Sequence, residues 1–436
     1  MTMILDGTNG AFLPTWTTAT RPASPANGEI GYNSTTGQLD QYVSGAWSSV
    51  PTAGASQATA TALGTVYAKQ TTGGGSPYLT AFGYNAGVST TGYSNTAIGT
   101  QALFTNSTGN SSTVVGYQAG YSNNTGGIVA IGYQAGYNDV CTSGGVDSNV
   151  HIGYQAGYTT TTSNGHTFIG HQAGFSKLAT GAVCTYIGNV AGTSNTTGQG
   201  NIGIGYAAMA PSTTLTASTV IGDRAMNGGV ATGSSNVAIG QFSQYKLTSG
   251  SNNVSMGNET LYSNLSGTNN TAVGYQAGYY QTGGSNTAVG SGALVGASGG
   301  SSTGTNNTGI GFNALVSCTS GYNNVALGYQ SLNANNSGYL NTCIGTVAGL
   351  SISSGNNIVC VGYYSGQNIA TGSTSTYIGS QTSASAAGVT GEVLVSSYGA
   401  AGKGVNTAFI TGGGGPCYAG NNSATWAVIS DQRLKK

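Results

Sequence analysis

An apolar residue followed by glycine returns along most of this chain at a nearly fixed distance. The glycine falls at Gly83, Gly99, Gly116, Gly132, Gly153, Gly170, Gly188, Gly205 and Gly222, then at Gly240, Gly257, Gly274, Gly290, Gly311, Gly328, Gly345, Gly362 and Gly379. Fifteen of the seventeen intervals are 16 to 18 residues; the two exceptions, ending at Gly153 and Gly311, are 21. A short repeat at constant period constrains architecture more than any local propensity does. One such unit cannot bury an apolar face alone, so units must stack on one another.

Positions counted from this anchor glycine are tightly restricted. Position −3 is always Thr, Val or Ile, position −1 is always apolar, and position +3 is always Ala, Ser or Thr. Position +1 is often aromatic, and Asn recurs at −4, as in Asn95, Asn201, Asn253 and Asn341. Positions −3, −1, +1 and +3 share parity, so in an extended strand they line one face, and their β-branched residues favour a strand. The rest of each unit is Ser, Asn, Thr and Gly, as in SNNTGG at 122–127, which supplies turns. Each unit therefore reads as a short strand with its Ile and Tyr turned inward, followed by a turn and a polar return. The ladder expected inside comprises Ile98, Val115, Ile131, Ile152, Ile169, Ile187, Ile204, Ile221, Ile239, Val273, Val289, Ile344 and Ile378, with Tyr117, Tyr133, Tyr154, Tyr275 and Tyr329. A helix is excluded because the apolar spacing is two and glycine interrupts every window.

The fold expected is all-β: an elongated parallel β-solenoid of about 18 coils of about 17 residues. Composition agrees, since 76 glycines and only 18 charged side chains in 436 residues leave too few large side chains for a thick core. One thin coil buries little apolar area, and several bundled about a shared axis bury more, so an oligomer of cyclic symmetry is expected. The shaft spans 79–388. Residues 1–50 read as a small β module for attachment, with a hairpin across GEIGYN and QLDQYV that ends at Trp47. Residues 51–78 read as a linker, 389–430 as a β cap with strands in GEVLVSS, NTAFITGG and ATWAVIS, and 431–436 as a basic tail.

Charge limits function. The net charge is zero, and between residues 83 and 383 the only Lys or Arg are Lys177, Arg224 and Lys246, so no nucleic-acid surface is expected. No run reaches the length of a membrane span, and the opening MTMILDGTNGAFLPTW lacks the pattern of a signal peptide. The six cysteines form no CxxC pair and are expected to be reduced. Cys343 and Cys360 share a column on neighbouring coils, but with side chains pointing the same way a disulfide is disfavoured.

The units NTAIGTQAL, STVVGYQAGY and NTAVGYQAGY resemble the repeats of bacteriophage tail-fibre and other virion fibre proteins. They are also similar to the β-roll head of trimeric autotransporter adhesins. RPASPANGEIGYNSTTGQLDQYVSGAW resembles a module near the starts of phage fibre proteins. The ending ISDQRLKK resembles the opening of the endosialidase-type intramolecular chaperone domain. These resemblances imply a homotrimer, a place on the virion after assembly in the host cytoplasm, and contact with other tail proteins through the N-terminal region. They also imply Ser430 and Lys435 as a vestigial self-cleavage pair, since only six residues follow Ser430.

Other chemistry is thinly supported. Glycoside hydrolysis needs two carboxylates at about 5–9.5 Å, and the shaft offers Asp139, Asp147, Asp223 and Glu259 in unrelated columns. His171 takes the place of Tyr at +1, where copies meeting on a symmetry axis would hold a metal; a packed or exposed imidazole is the plainer reading. No cofactor and no enzymatic activity are expected. The function read here is a structural phage fibre for host attachment or display of a receptor-binding tip, touching a host glycan or protein. The alternatives are a trimeric surface adhesin and, further off, a polysaccharide-cleaving tailspike.

Overall fold

The computed structural model describes residues 4–6, 10–12, 15–25, 29–36, 38–43, 45–50, 66–69, 78–124, 126–140, 149–161, 165–177, 183–297, 302–411, 417–419 and 427–428. Apart from one 3-10 turn at Thr18–Thr20, all its regular elements are strands. Twenty of them, from Leu79–Phe82 to Ala408–Thr411, follow one another as neighbouring parallel strands in a single ladder, most only three residues long. The pairing is in register at the repeat: Thr167, Phe168 and Ile169 lie beside Thr185, Tyr186 and Ile187. This is a parallel β-solenoid. Twenty rungs at about 4.8 Å each give a stack on the order of 95 Å long.

The inward face differs from the one expected. Each strand covers −3 to −1, and its middle residue points inside: Ala97, Val114, Phe168, Tyr186, Val220 and Cys343 are fully buried. The Ile and Val at −1 and the aromatics at +1 are turned outward. Parity does not carry across the anchor glycine. Its φ is near +130°, as at Gly99 and Gly240, and the residue at +2 is also left-handed, near +51° at Gln118 and Gln134. Two such residues turn the chain a corner, so +3 points inward while −1 points out. Ala119, Ala173 and Ala277 at +3 are indeed fully buried.

The anchor must be glycine for a second reason. A Cβ on Gly240 would stand 2.3 Å from the carbonyl oxygen of Gly257 on the next coil. The polar return is interior too. Asn253 donates its side-chain amide to the Gly267 carbonyl at 2.9 Å, while its Oδ1 accepts the Asn270 backbone N–H at 3.0 Å. Repeated coil by coil, this satisfies backbone donors that a narrow apolar interior would otherwise strand.

The expected cap begins as two more rungs, Val393–Tyr398 and Ala408–Thr411, both parallel to the stack. Direction then reverses: Cys417–Ala419 pairs antiparallel with the last rung, as Val66–Lys69 does with the first. Near the N-terminus, Ile30–Asn33 and Gln38–Val43 form the expected hairpin. Trp47 does not end it, because Ala46–Val50 adds a further antiparallel strand. Buried Asp40 ties this small sheet together, accepting from Asn33 at 2.7 Å and pairing with Arg21 at 2.7 Å.

Candidate functional surface

Each strand sends its residues at −3 and −1 outward, so the stack carries two outer columns of mostly β-branched side chains. One is Thr or Val with an occasional Ile; the other is mostly Ile and Val. Ile98, Ile131, Ile310, Leu327 and Ile344 keep 37–42 % of their surface exposed, although each has neighbours above and below. Beyond the glycine corner the +1 aromatics extend this face, with Tyr117, Tyr133, Tyr154, Tyr275 and Tyr329 all exposed. The result is a long apolar strip on a rod whose remaining surface is rich in amides and hydroxyls.

The aromatics stack. Tyr117, Tyr133, Tyr154 and His171 follow one another with ring centroids 5.2, 5.1 and 5.0 Å apart. A second ladder at +5 runs Phe104, Tyr121, Tyr137, Tyr158 and Phe175 at 4.9 to 5.1 Å. Stacked rings cover one another's faces and leave their edges to solvent, so a sugar ring finds no open platform along a ladder. Beside the rings, Gln118, Gln134, Gln155 and Gln172 each donate a side-chain N–H to the glutamine one coil earlier, at 2.8 to 3.1 Å. The sequence reading missed this amide ladder, although the recurring YQAG signals it. Local electrostatics follow from the stacking. Burial, followed by the charge of Glu259 and the neighbouring phenols, pushes Tyr279 up to about 12. Burial and stacked phenols raise Tyr137 as well.

The other sequence candidates disperse. His171 is exposed and continues the tyrosine ladder. No group of three or more His, Cys, Asp or Glu able to hold a metal gathers among the described residues. Asp223 accepts from Gln241 at 3.0 Å and Glu259 from Gln276 at 2.7 Å, so each carboxylate is held by an amide one coil on. Asp139 is buried against His151. Cys343 and Cys360 lie in register as free, buried thiols, and burial pushes the Cys343 thiol well above its usual value. Asp147, Ser430 and Lys435 lie outside the described residues. Among those described, no helix is long and apolar enough to cross a membrane. Comparison with family models, with curated proteins and with solved structures finds no match to the chain.

Proposed function

We propose that this chain is the shaft of a virion fibre, a parallel homotrimer whose subunits meet along the outward Thr/Val and Ile/Val columns. One observation carries the reading: a continuous apolar strip, in register over the whole stack, on a chain with almost no surface charge. A contiguous exposed patch of that kind marks an interaction surface. A rod whose strip repeats at every rung is best covered by an identical rod in the same register. Closed cyclic symmetry prevents the open-ended association that such a strip otherwise invites. The number three follows from the resemblance to virion fibres and trimeric adhesins. The rod then serves as a rigid spacer between a particle and a host-contacting tip.

A sedimentation measurement at micromolar concentration tests the assembly, with trimer expected. The double variant Ile310→Lys/Ile344→Lys changes only outward positions. It is expected to give folded monomers with unchanged strand circular dichroism. A wild-type monomer at that concentration overturns the proposal. A surface adhesin is the second reading, favoured by the identical tyrosine and glutamine positions repeated along the rod, as multivalent weak binding requires. Gold-labelled antibodies on particles and on cells separate the two.

A further inference from the structure

Inside the stack the polar side chains are almost all amides and hydroxyls. Between Asp139 and Cys184 that rule lapses: Asp139, His151, His166, Lys177 and Cys184 are all fully buried within neighbouring coils. His151 Nε2 lies 3.1 Å from Asp139 Oδ2, and the Asn149 amide holds the same carboxylate at 3.1 Å. Lys177 donates to Asn195 Oδ1 at 3.4 Å and to the Gly198 carbonyl. His166 stands where other coils have Asn. Its backbone N–H donates to Asn149 Oδ1 at 2.8 Å, and its Nδ1 accepts the backbone N–H of Cys184, one coil on, at 3.0 Å.

The Nδ1 contact fixes the ring as neutral. A proton on Nδ1 would turn two donors toward each other across 3.0 Å and remove the side-chain acceptor of the Cys184 N–H. Among the described residues, the coil below brings His151, whose carboxylate partner Asp139 is already engaged; the same coil brings Lys177 and the Phe168 ring; the coil above brings Cys184. We propose that this segment is an acid-sensitive opening in the shaft, where protonation of His166 separates the coils around Val150–Ile187 while the rest of the stack stays closed.

Burial, followed by His151 and Lys177, pushes His166 down to about 3. An unfolded imidazole titrates near 6.5. The folded value is depressed, so the open state binds the extra proton. Stability is full above about pH 6.5 and is lost as pH falls, with the opening constant growing up to about tenfold per pH unit down to about 3. The inference holds for a single chain as for an assembly.

Amide hydrogen exchange on the full chain, corrected for intrinsic rate, tests this between pH 7.5 and 4. Protection over residues 166–177 and 183–187 is expected to fall steeply on acidification, while residues 324–361, which hold no histidine, keep theirs. His166→Asn installs the amide used at this position by neighbouring coils, as in Asn149 and Asn201, and is expected to flatten the pH dependence. Equal pH dependence in both segments overturns the proposal, as does an unchanged slope in the variant. If the variant fails to fold, an imidazole titration of the wild type decides. His166 titrating near 6.5 with protection intact rejects the switch, and a depressed value with acid-linked loss of protection supports it.

Discussion

Phe168 and Gly174 share one space. A Cβ on Gly174 would meet the Phe168 ring at 2.6 Å, so the large residue at −2 requires the glycine at +4. Other coils invert the arrangement: Gly203 goes with Met209, Gly309 with Leu315, and Ala97 with Leu103, each with its +4 side chain fully buried. Interior volume is thus conserved per coil rather than per column, as close packing demands. Phe168→Ala should cost about 3–5 kcal/mol by leaving a cavity. Adding Gly174→Leu reproduces the Ala97/Leu103 combination and should recover part of that loss, although leucine must then adopt a φ near +59°. Urea midpoints of the single and double variants check this. A double variant no more stable than Phe168→Ala would show that the two sites do not share space.

A coil is three extended residues, a corner, and a polar return. Its existence and length were legible because the apolar-glycine pair marks the corner of eighteen of the twenty rungs. Its facing was not. Parity reasoning presumes continuous extension, and the left-handed residues at the anchor and at +2 break that, exchanging inside for outside between −1 and +3. The small residues at +3 were correctly placed inside, since Ala, Ser or Thr there leaves room for the large side chain at −2 or +4. The strands in GEVLVSS and NTAFITGG read as a cap rather than as two further rungs because Ser396 and Thr411 stand where the anchor glycine would be, after the irregular register beside Ile378–Ser380. The amide and imidazole interior escaped because Asn and His between glycines read as turn. Ala277→Leu, which overfills a buried site, should lower stability by about 1–3 kcal/mol. Ser266→Leu, on an exposed turn, should stay within about 0.5 kcal/mol. Equal midpoints for these two variants would show that +3 is not the packed column.

On the scale of the whole molecule, contacts run almost entirely between adjacent coils, so stability is close to a sum of local terms. Deleting residues 258–274, one complete repeat of 17, joins Gly257 to Tyr275 in phase and should leave a folded rod one rung shorter. Deleting only 258–265 removes eight residues, breaks the phase, and should abolish cooperative unfolding. Similar thermal transitions for the two deletions would argue against a one-dimensional stack. The ends are built differently from the middle. A parallel stack exposes the same kind of edge after every rung and contains nothing that says where to stop. Here the first and last rungs each pair with a strand running the opposite way. At the N-terminal end a coil arriving from another rod would meet a strand of the wrong direction and could not continue the register; at the other end the reversed Cys417–Ala419 has its own edge covered by Ala427–Val428. The reversals therefore act as a ruler: the gene, not the concentration of subunits, sets how far the stack reaches.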